Sequence, residues 1–229
     1  MGYTVIISHP ASRHSKAQST KSNQSQRSKD PPEKPPTLKQ DHQIFITIHH
    51  RNELSLDKSR RDLGSSAYHW GILLAPRRSR GANCHAFDVT DGSSPDPLVR
   101  KDNNPNFEWK FRVKKNVNPD HSGSLLLRIR IGKIRDSNSS GHAFDNIDTL
   151  LRSIPLPVKD NDRSTPSQNC VGWVQAAIRK LQMNGLAEDF DVDFFMANAL
   201  AFVDRRLADV DHVPGVINHL GKRIRSGCY

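Results

Sequence analysis

Cysteine is scarce in this chain of 229 residues. There are three cysteines, Cys84, Cys170 and Cys228, and no two of them form a Cys-x-x-Cys pair. This odd, scattered set argues against a disulfide framework and against a zinc ribbon or knuckle, so we expect no metal site and no cofactor. Long apolar runs are also lacking, since no stretch approaches the roughly 20 apolar residues of a membrane-spanning helix. The sequence therefore predicts a protein of a reducing compartment, the cytoplasm, without a transmembrane segment.

Apolar residues are in short supply overall. They make up 35% of the chain, and the mean hydropathy of −0.66 is low for a compact domain of this length. The shortage is greatest in residues 1–40, which are rich in Ser, Gln, Lys and Pro. Such a segment has too little apolar surface to offset the conformational entropy that folding costs. We therefore predict a disordered, basic, Ser/Pro-rich tail over residues 1–41.

Acidic residues are outnumbered, and the formal net charge is +10, from 34 Lys+Arg against 24 Asp+Glu. Residues 1–40 alone contain 7 Lys+Arg and 2 Asp+Glu, about half of the excess. Elsewhere the strongest basic cluster has no aromatic stacking platform and no DNA-reading helix motif beside it. That cluster consists of Arg128, Arg130, Lys133 and Arg135. We therefore expect no specific nucleic-acid partner, and the sequence carries no signal for an oligomeric state.

Five segments carry the patterns of β-strands. Residues 67–75 form a nearly continuous apolar run, typical of a central strand, whereas residues 107–113 alternate apolar with charged side chains. β-Branched, aromatic and other apolar residues mark the remaining three strands, at 44–48, 84–90 and 124–134. Because residues 118–123 are rich in turn formers, we expect 107–113 and 124–134 to form an antiparallel hairpin.

Helical patterns follow the strands along the chain. Residues 144–153 precede two prolines, and an amphipathic run begins at Cys170 and ends near Asn184. Residues 193–208 are apolar nearly all round and are expected to pack on the sheet, and residues 213–225 are expected to form a last short helix.

Strands followed by helices predict an α+β fold, with an antiparallel sheet packed on helices. We place the core of the domain at residues 42–185. Residues 186–229 are expected to form a C-terminal helical extension that packs on this core.

Cys170 has a setting that the other two cysteines lack. It follows Asn169 and stands in the first turn of a predicted helix, where apolar residues recur at three-and-four spacing. The unpaired N–H groups and the dipole at such a helix start favour a thiolate over a thiol, which is what a nucleophilic cysteine needs. The same position also suits an ordinary buried core cysteine.

A nucleophilic cysteine needs a base, and two of the 11 histidines stand out by context. His69 lies within the apolar strand at 67–75, and His85 lies on the strand that follows. Asp88 and Asp91 come soon after and can orient an imidazole. The alternative is that both histidines are packed in the core with their polar atoms satisfied.

These motifs together resemble the circularly permuted papain-like fold. The matching blocks are Tyr68-His69-Trp70, then His85, then Asn169-Cys170-Val171-Gly172-Trp173-Val174, with Cys170 placed 101 positions after His69. The branch in question includes lecithin:retinol acyltransferase-like and NlpC/P60-type proteins. The chain is still more similar to an uncharacterised fungal family, which shares these blocks and a third one at residues 125–133, Leu-Leu-Leu-Arg-Ile-Arg-Ile-Gly-Lys. The resemblance spans roughly residues 44–182.

The resemblance implies a role for each matched residue. Cys170 would be the nucleophile, His69 the general base, and His85 the group that orients His69. Asn169 and Tyr68 would contribute to an oxyanion or substrate-binding site, together with backbone N–H groups of the Cys170 helix.

The implied function is that of a thiol hydrolase or acyltransferase. It would form an acyl-cysteine intermediate on an amide, ester or thioester, and its partner would be a small-molecule or peptide acyl substrate. The alternative is a catalytically inactive papain-like protein that serves as a binding or accessory protein of a fungal pathway.

Overall fold

The computed structural model describes residues 41–79, 81–96, 98–135, 142–158, 169–208 and 214–224. The tail predicted at residues 1–41 lies outside these ranges except for its last residue. Cys228 also lies outside them.

A six-stranded sheet forms the centre of the described structure, in the order β4-β3-β2-β1-β5-β6. All neighbouring strands are antiparallel except β5 and β6, which are parallel. The near-continuous apolar run of β2 fits its position inside the sheet, where it pairs with β1 on one edge and with β3 on the other. The strands are β1 His42–His50, β2 Tyr68–Pro76, β3 Cys84–Thr90, β4 Lys110–Val117, β5 Leu125–Ile134 and β6 Gly215–Asn218.

Four α-helices lie within the described residues, and three of them pack on one face of the sheet. The amphipathic run at Cys170 and the apolar run at 193–208 both form the helices expected of them. The α-helices are α1 Asp57–Leu63, α2 His142–Arg152, α3 Cys170–Met183 and α4 Val192–Ala208. Short 3-10 helices cover Asn52–Ser55, Gly64–Ala67 and Pro119–His121.

The period of two in β2 divides its side chains between two environments. Tyr68, Trp70, Ile72 and Leu74 are fully buried in the main core, against apolar residues of α2, α3 and α4. The alternate residues, beginning with His69, therefore face the opposite side of the sheet. Among the described residues, the buried apolar cluster on this second side is small and consists of Phe45, Leu73, Ala75 and Cys84. One face is thus a packed core, and the other is partly open.

The predicted hairpin between residues 107–113 and 124–134 is wrong. β4 pairs with β3, and β5 pairs with β1. Three strands therefore lie between β4 and β5 in the sheet. β5 has buried apolar residues on both faces and takes an inner position, whereas β4 alternates with charged residues and forms the edge. A turn between two strands does not by itself specify their partners.

Two other local predictions also need correction. β4 begins at Lys110 rather than at residue 107, because Phe107 has a left-handed backbone (φ 53°) and ends a turn from Asn104. The described part of the segment predicted to be a helix at 213–225 contains β6, whose β-branched pair Val216-Ile217 adds to the edge of β5. The C-terminal extension is therefore helical in α4 and extended in β6.

Together these elements form the mixed α+β fold that the sequence predicts, with a mostly antiparallel sheet against helices. No helix in the described parts of the chain is long and apolar enough to cross a membrane.

Replacing Gly132 with alanine should strongly destabilise the protein. A Cβ at this position of β5 would overlap the carbonyl oxygen of Leu186 and lie 3.0 Å from Cα of Ala187, in the segment after α3. Both contacts are with backbone, which cannot rotate aside, so we expect a loss of about 3 kcal/mol in the free energy of unfolding. Chemical denaturation measures it. Gly123→Ala is the matched control, because a Cβ there meets nothing within 4 Å, and equal stability of the two variants would contradict this packing.

Candidate active site

Cys170 is the first residue of α3, and the residue before it caps the helix. The side-chain oxygen of Asn169 accepts hydrogen bonds from the N–H groups of Val171 (2.8 Å) and Gly172 (3.3 Å). Its side-chain nitrogen donates to Oγ of Ser66, just before β2, at 2.9 Å. The Asn-Cys dipeptide therefore both starts the helix and holds that start against the sheet.

The sulfur of Cys170 lies beside the beginning of β2. Its Sγ is 4.0 Å from the carbonyl oxygen of Tyr68, and the residue is 3% exposed. His69, the next residue of β2, lies in the wall of the same small cavity as Cys170, and the Cys170 side chain raises the pKa of its imidazole. The thiol and imidazole of the predicted pair are therefore neighbours in space, although a helix supplies one and a strand supplies the other.

Asp88 holds the other side of the His69 ring. Its Oδ2 is 3.1 Å from Nε2 of His69, and it lies on β3 on the same face of the sheet. Because Nε2 is engaged with the carboxylate, Nδ1 is the ring nitrogen that remains for the sulfur. The carboxylate thus fixes the orientation of the imidazole, as the acidic member of a catalytic triad does.

Arg112 on β4 fixes Asp88 in turn. Its Nε donates to Oδ1 at 2.8 Å, and its Nη2 donates to Oδ2 at 2.7 Å. Arg112 and Asp88 are direct cross-strand partners in the β3–β4 pair. A two-pronged contact of this kind constrains both the position and the rotation of the carboxylate.

The local charges favour a protonated His69. Burial is the largest influence on this group and lowers its pKa, but the interactions with Asp88 and Cys170 outweigh burial and raise the pKa to about 9. Burial likewise tends to raise the pKa of Asp88, but the hydrogen bonds from His69 and Arg112 hold it well below its usual range. His49, whose ring centroid is 6.2 Å from that of His69, has its pKa lowered to about 4 by burial and by the charge of His69. Near neutral pH the site contains an imidazolium, a carboxylate and a guanidinium.

A small cavity of about 160 Å³ opens beside Cys170. It has His69 and Cys170 in its wall, so a reactant in it would touch both members of the pair. The other lining residues come from the ends of the strands and from the segments next to them: Arg51, Ser66, Thr90, Asp91, Trp109 and Asn169.

The structure does not bring His85 to this pair. Register places His85 opposite Leu74, toward the far end of β2, and its ring packs against Phe144 of α2 with centroids 4.6 Å apart. Burial lowers its pKa, which also suits a packed neutral imidazole. The orienting contact predicted for His85 is made instead by Asp88, one of the two carboxylates that the sequence offers for this role.

The hydroxyl of Tyr68 lies away from the position expected of an oxyanion site, whereas Asn169 lines the small cavity beside Cys170. The Tyr68 hydroxyl donates to Oδ1 of Asp204 on α4 at 2.7 Å, within the helix-covered side of the sheet. Both polar atoms of the Asn169 side chain are engaged in the cap and with Ser66. The cap also occupies the N–H groups of Val171 and Gly172. The N–H of Cys170 itself is the donor in this first turn that the cap does not use.

Arg112 is the participant that the sequence did not single out. The available signal was its place in the alternating strand, where it shares one face with Lys110 and Lys114 and looks like an ordinary solvated charge. In the described residues no group of three or more His, Cys, Asp or Glu side chains could hold a metal ion.

Comparison with known proteins identifies one family. A model described as "Family of unknown function (DUF6914)" matches residues 43–209, which include every residue of the site and extend through the boundary predicted at 185 to α4. No curated protein and no solved structure matches the chain.

Asp88→Asn should lower the pKa of His69, because the neutral amide removes the charge that stabilises the imidazolium. NMR titration should show His69 titrating near pH 9 in the parent protein and well below that in the variant. Asp91→Asn is the matched control, since Asp91 lines the small cavity beside His69 and Cys170, whereas the carboxylate that contacts the His69 ring is that of Asp88. A parent His69 that titrates near its ordinary value of about 6.5, unaffected by the substitution, would contradict this account.

The same shift predicts a pH dependence of stability. The folded pKa of His69, about 9, lies above the ordinary value of 6.5, so its contribution is fully present below pH 6.5. It is lost as pH rises from there through about 9. Denaturation across that window should show the stability advantage of the parent over Asp88→Asn shrinking as pH rises. An advantage that stays constant or grows would contradict the shift.

Proposed function

The chain belongs to the DUF6914 family, and we propose that it is a papain-like thiol enzyme, a hydrolase or acyltransferase that acts through an acyl-cysteine. One observation carries the proposal: His69 contacts the Cys170 side chain while Asp88 holds its Nε2 at 3.1 Å. A nucleophile, a base and an orienting group in this sequence of contacts have the geometry that covalent catalysis needs.

The proposed reaction begins with an ion pair. The proton of the Cys170 thiol resides on His69, and the Asp88–Arg112 pair and the start of α3 stabilise the resulting charges. The thiolate attacks the carbonyl carbon of an amide, ester or thioester and forms a tetrahedral intermediate. The N–H of Cys170 donates to the oxyanion of that intermediate.

The intermediate collapses with proton transfer from His69. The imidazolium gives its proton to the leaving amine, alcohol or thiol, and the acyl group remains on Cys170. Water, or an acceptor amine or alcohol, then attacks the thioester, and His69 takes the proton of this second nucleophile. Departure of the acyl group regenerates the thiolate and imidazolium, so atoms and charge balance over the cycle.

The same residues support the resemblance to the permuted papain-like fold. The strand histidine precedes the cysteine in the chain, and the cysteine starts a helix that packs against the sheet. The substrate in this proposal is a small-molecule or peptide acyl compound, and the expected location is the cytoplasm.

A second candidate is a binding or accessory protein that has this fold without catalysis. The observation that favours it is the 3% exposure of Cys170, since a nucleophile must be reached by its substrate. The cavity of about 160 Å³ beside the sulfur favours the enzyme, because it provides space at both Cys170 and His69.

Alkylation of Cys170 tests the activated nucleophile directly. An ordinary thiol, with a pKa of about 8.5, is almost fully protonated at pH 6 and reacts slowly with iodoacetamide. We expect Cys170 to react at least about ten times faster than glutathione at that pH, with the labelled residue identified by peptide mass spectrometry.

Two histidine variants make the test specific. His69→Gln should reduce the Cys170 rate at pH 6 to that of an ordinary thiol, whereas His85→Gln should leave it unchanged because His85 packs on α2. If the parent Cys170 reacts no faster than glutathione, the enzyme proposal fails and the binding-protein alternative gains support.

A further inference from the structure

The connection between β4 and β5 crosses the open face of the sheet. β4 ends at Val117, opposite Cys84 at the start of β3, while β5 begins at Leu125, opposite His49 near the end of β1. Residues 118–124 must therefore run diagonally past the three intervening strands, β3, β2 and β1, and along their length. We call these residues the strap.

A groove of about 520 Å³ lies between the strap and the sheet. This volume is within the range of small-molecule sites, about 300–1,000 Å³. Residues of the strap form one wall, and the floor includes Thr47, Gly71 and Asp88. Gly71 helps to keep the floor open, since a Cβ there would lie 3.2 Å from Oγ1 of Thr47 and 3.3 Å from Cβ of Asp88. We call this space the strap groove.

Positive charge predominates in the strap groove. Arg112 and Lys114 line it, and Asp88 is the single carboxylate among the described residues that do so. That carboxylate is already shared between Arg112 and His69. The charge of Lys114, an exposed residue, is left to attract an anion.

Further hydrogen-bonding groups line the same space. The hydroxyls of Thr47, Ser122 and Ser124 line the groove, as do His49 and His121. Polar groups placed beside the apolar residues of a concave site are typical of sites that orient a small ligand.

The strap groove adjoins the candidate active site. His69 lines both the groove and the small cavity beside Cys170. A ligand in the groove therefore lies beside His69, the residue that also lines the cavity at Cys170.

We propose that the strap groove binds the carboxylate or phosphate group of a small molecule, with Lys114 as its main charged contact. Anion binding in the strap groove is independent of the proposed function. The further idea, that the bound anion is part of the acyl substrate or of the acceptor, rests on the proposed function.

Matched charged and neutral probes test the binding on the full chain. N-acetylglycine is compared with N-acetylglycinamide, and glycerol 3-phosphate with glycerol, by calorimetry at low salt. We expect each anion to bind at least about tenfold more tightly than its neutral counterpart and to weaken as salt rises. The tighter of the two anions identifies the preferred group, and amide shifts in NMR spectra should cluster at residues 47, 71 and 114.

Adjacent lysines of β4 provide the matched variants. Lys114→Gln should weaken anion binding about fivefold or more, since it removes the charge that faces the groove. Lys115→Gln should not, because Nζ of Lys115 lies over the Phe144 ring, 4.6 Å from its centroid, on the helix-covered side. Ser122→Trp, in the strap, should block both anions by filling the space.

The outcomes separate this inference from the proposed function. Anions that bind no better than the neutral probes, equal binding by the two lysine variants, or shifts clustered elsewhere would each overturn the inference. Anion binding that depends on Lys114 in a protein whose Cys170 reacts as an ordinary thiol would support the groove and reject the enzyme.

Discussion

The carboxylate of Asp88 is the group on which the rest of the site depends. It is 9% exposed, and it accepts from Arg112 on one side and contacts His69 on the other. A charge removed from water in this way is costly unless it is paired, and here two cationic groups compensate it. Loss of Asp88 would leave two neighbouring cationic groups without their shared counter-charge, so the three side chains behave as one unit.

This unit depends on the register of three antiparallel strands. β2 supplies His69, β3 supplies Asp88 and β4 supplies Arg112, all on the face that the helices leave uncovered. A slip of one residue between any two strands would send one member to the packed face. The buried apolar residues on the other face, including Trp70 and Phe87, specify that register. The apolar core on one face of the sheet therefore positions the polar side chains of the site on the other face, although it contacts few of them.

The cysteine reaches this unit by a separate route. Apolar contacts of Trp173 and Val174 pack α3 on the sheet, and the hydrogen bond from Asn169 to Ser66 fixes its first residue near β2. The helix start then faces the strand that carries His69. Local features of the sequence were sufficient to predict this half of the site, because the Asn cap, the apolar spacing and the strand histidine are each visible in a few residues.

The identity of the orienting group was not predictable in the same way. His85 and Asp88 lie on the same strand but point to opposite faces of the sheet. Which of them can orient His69 depends on which one points to the same face as His69. The alternation within each strand does not show which residues of the two strands stand opposite each other. The same limitation explains the false β4–β5 hairpin, since alternation shows that a segment is a strand without naming its partner.

The central claim is that His69 activates Cys170 for acyl transfer, and trapping of the acyl-enzyme tests it most directly. The protein would be mixed with p-nitrophenyl acetate, quenched in acid and digested, and the peptide with Cys170 weighed. The account predicts an acetyl group on Cys170 in the parent protein and in His85→Gln, and none in His69→Gln. An unmodified Cys170 in the parent, or equal modification in His69→Gln, would contradict it.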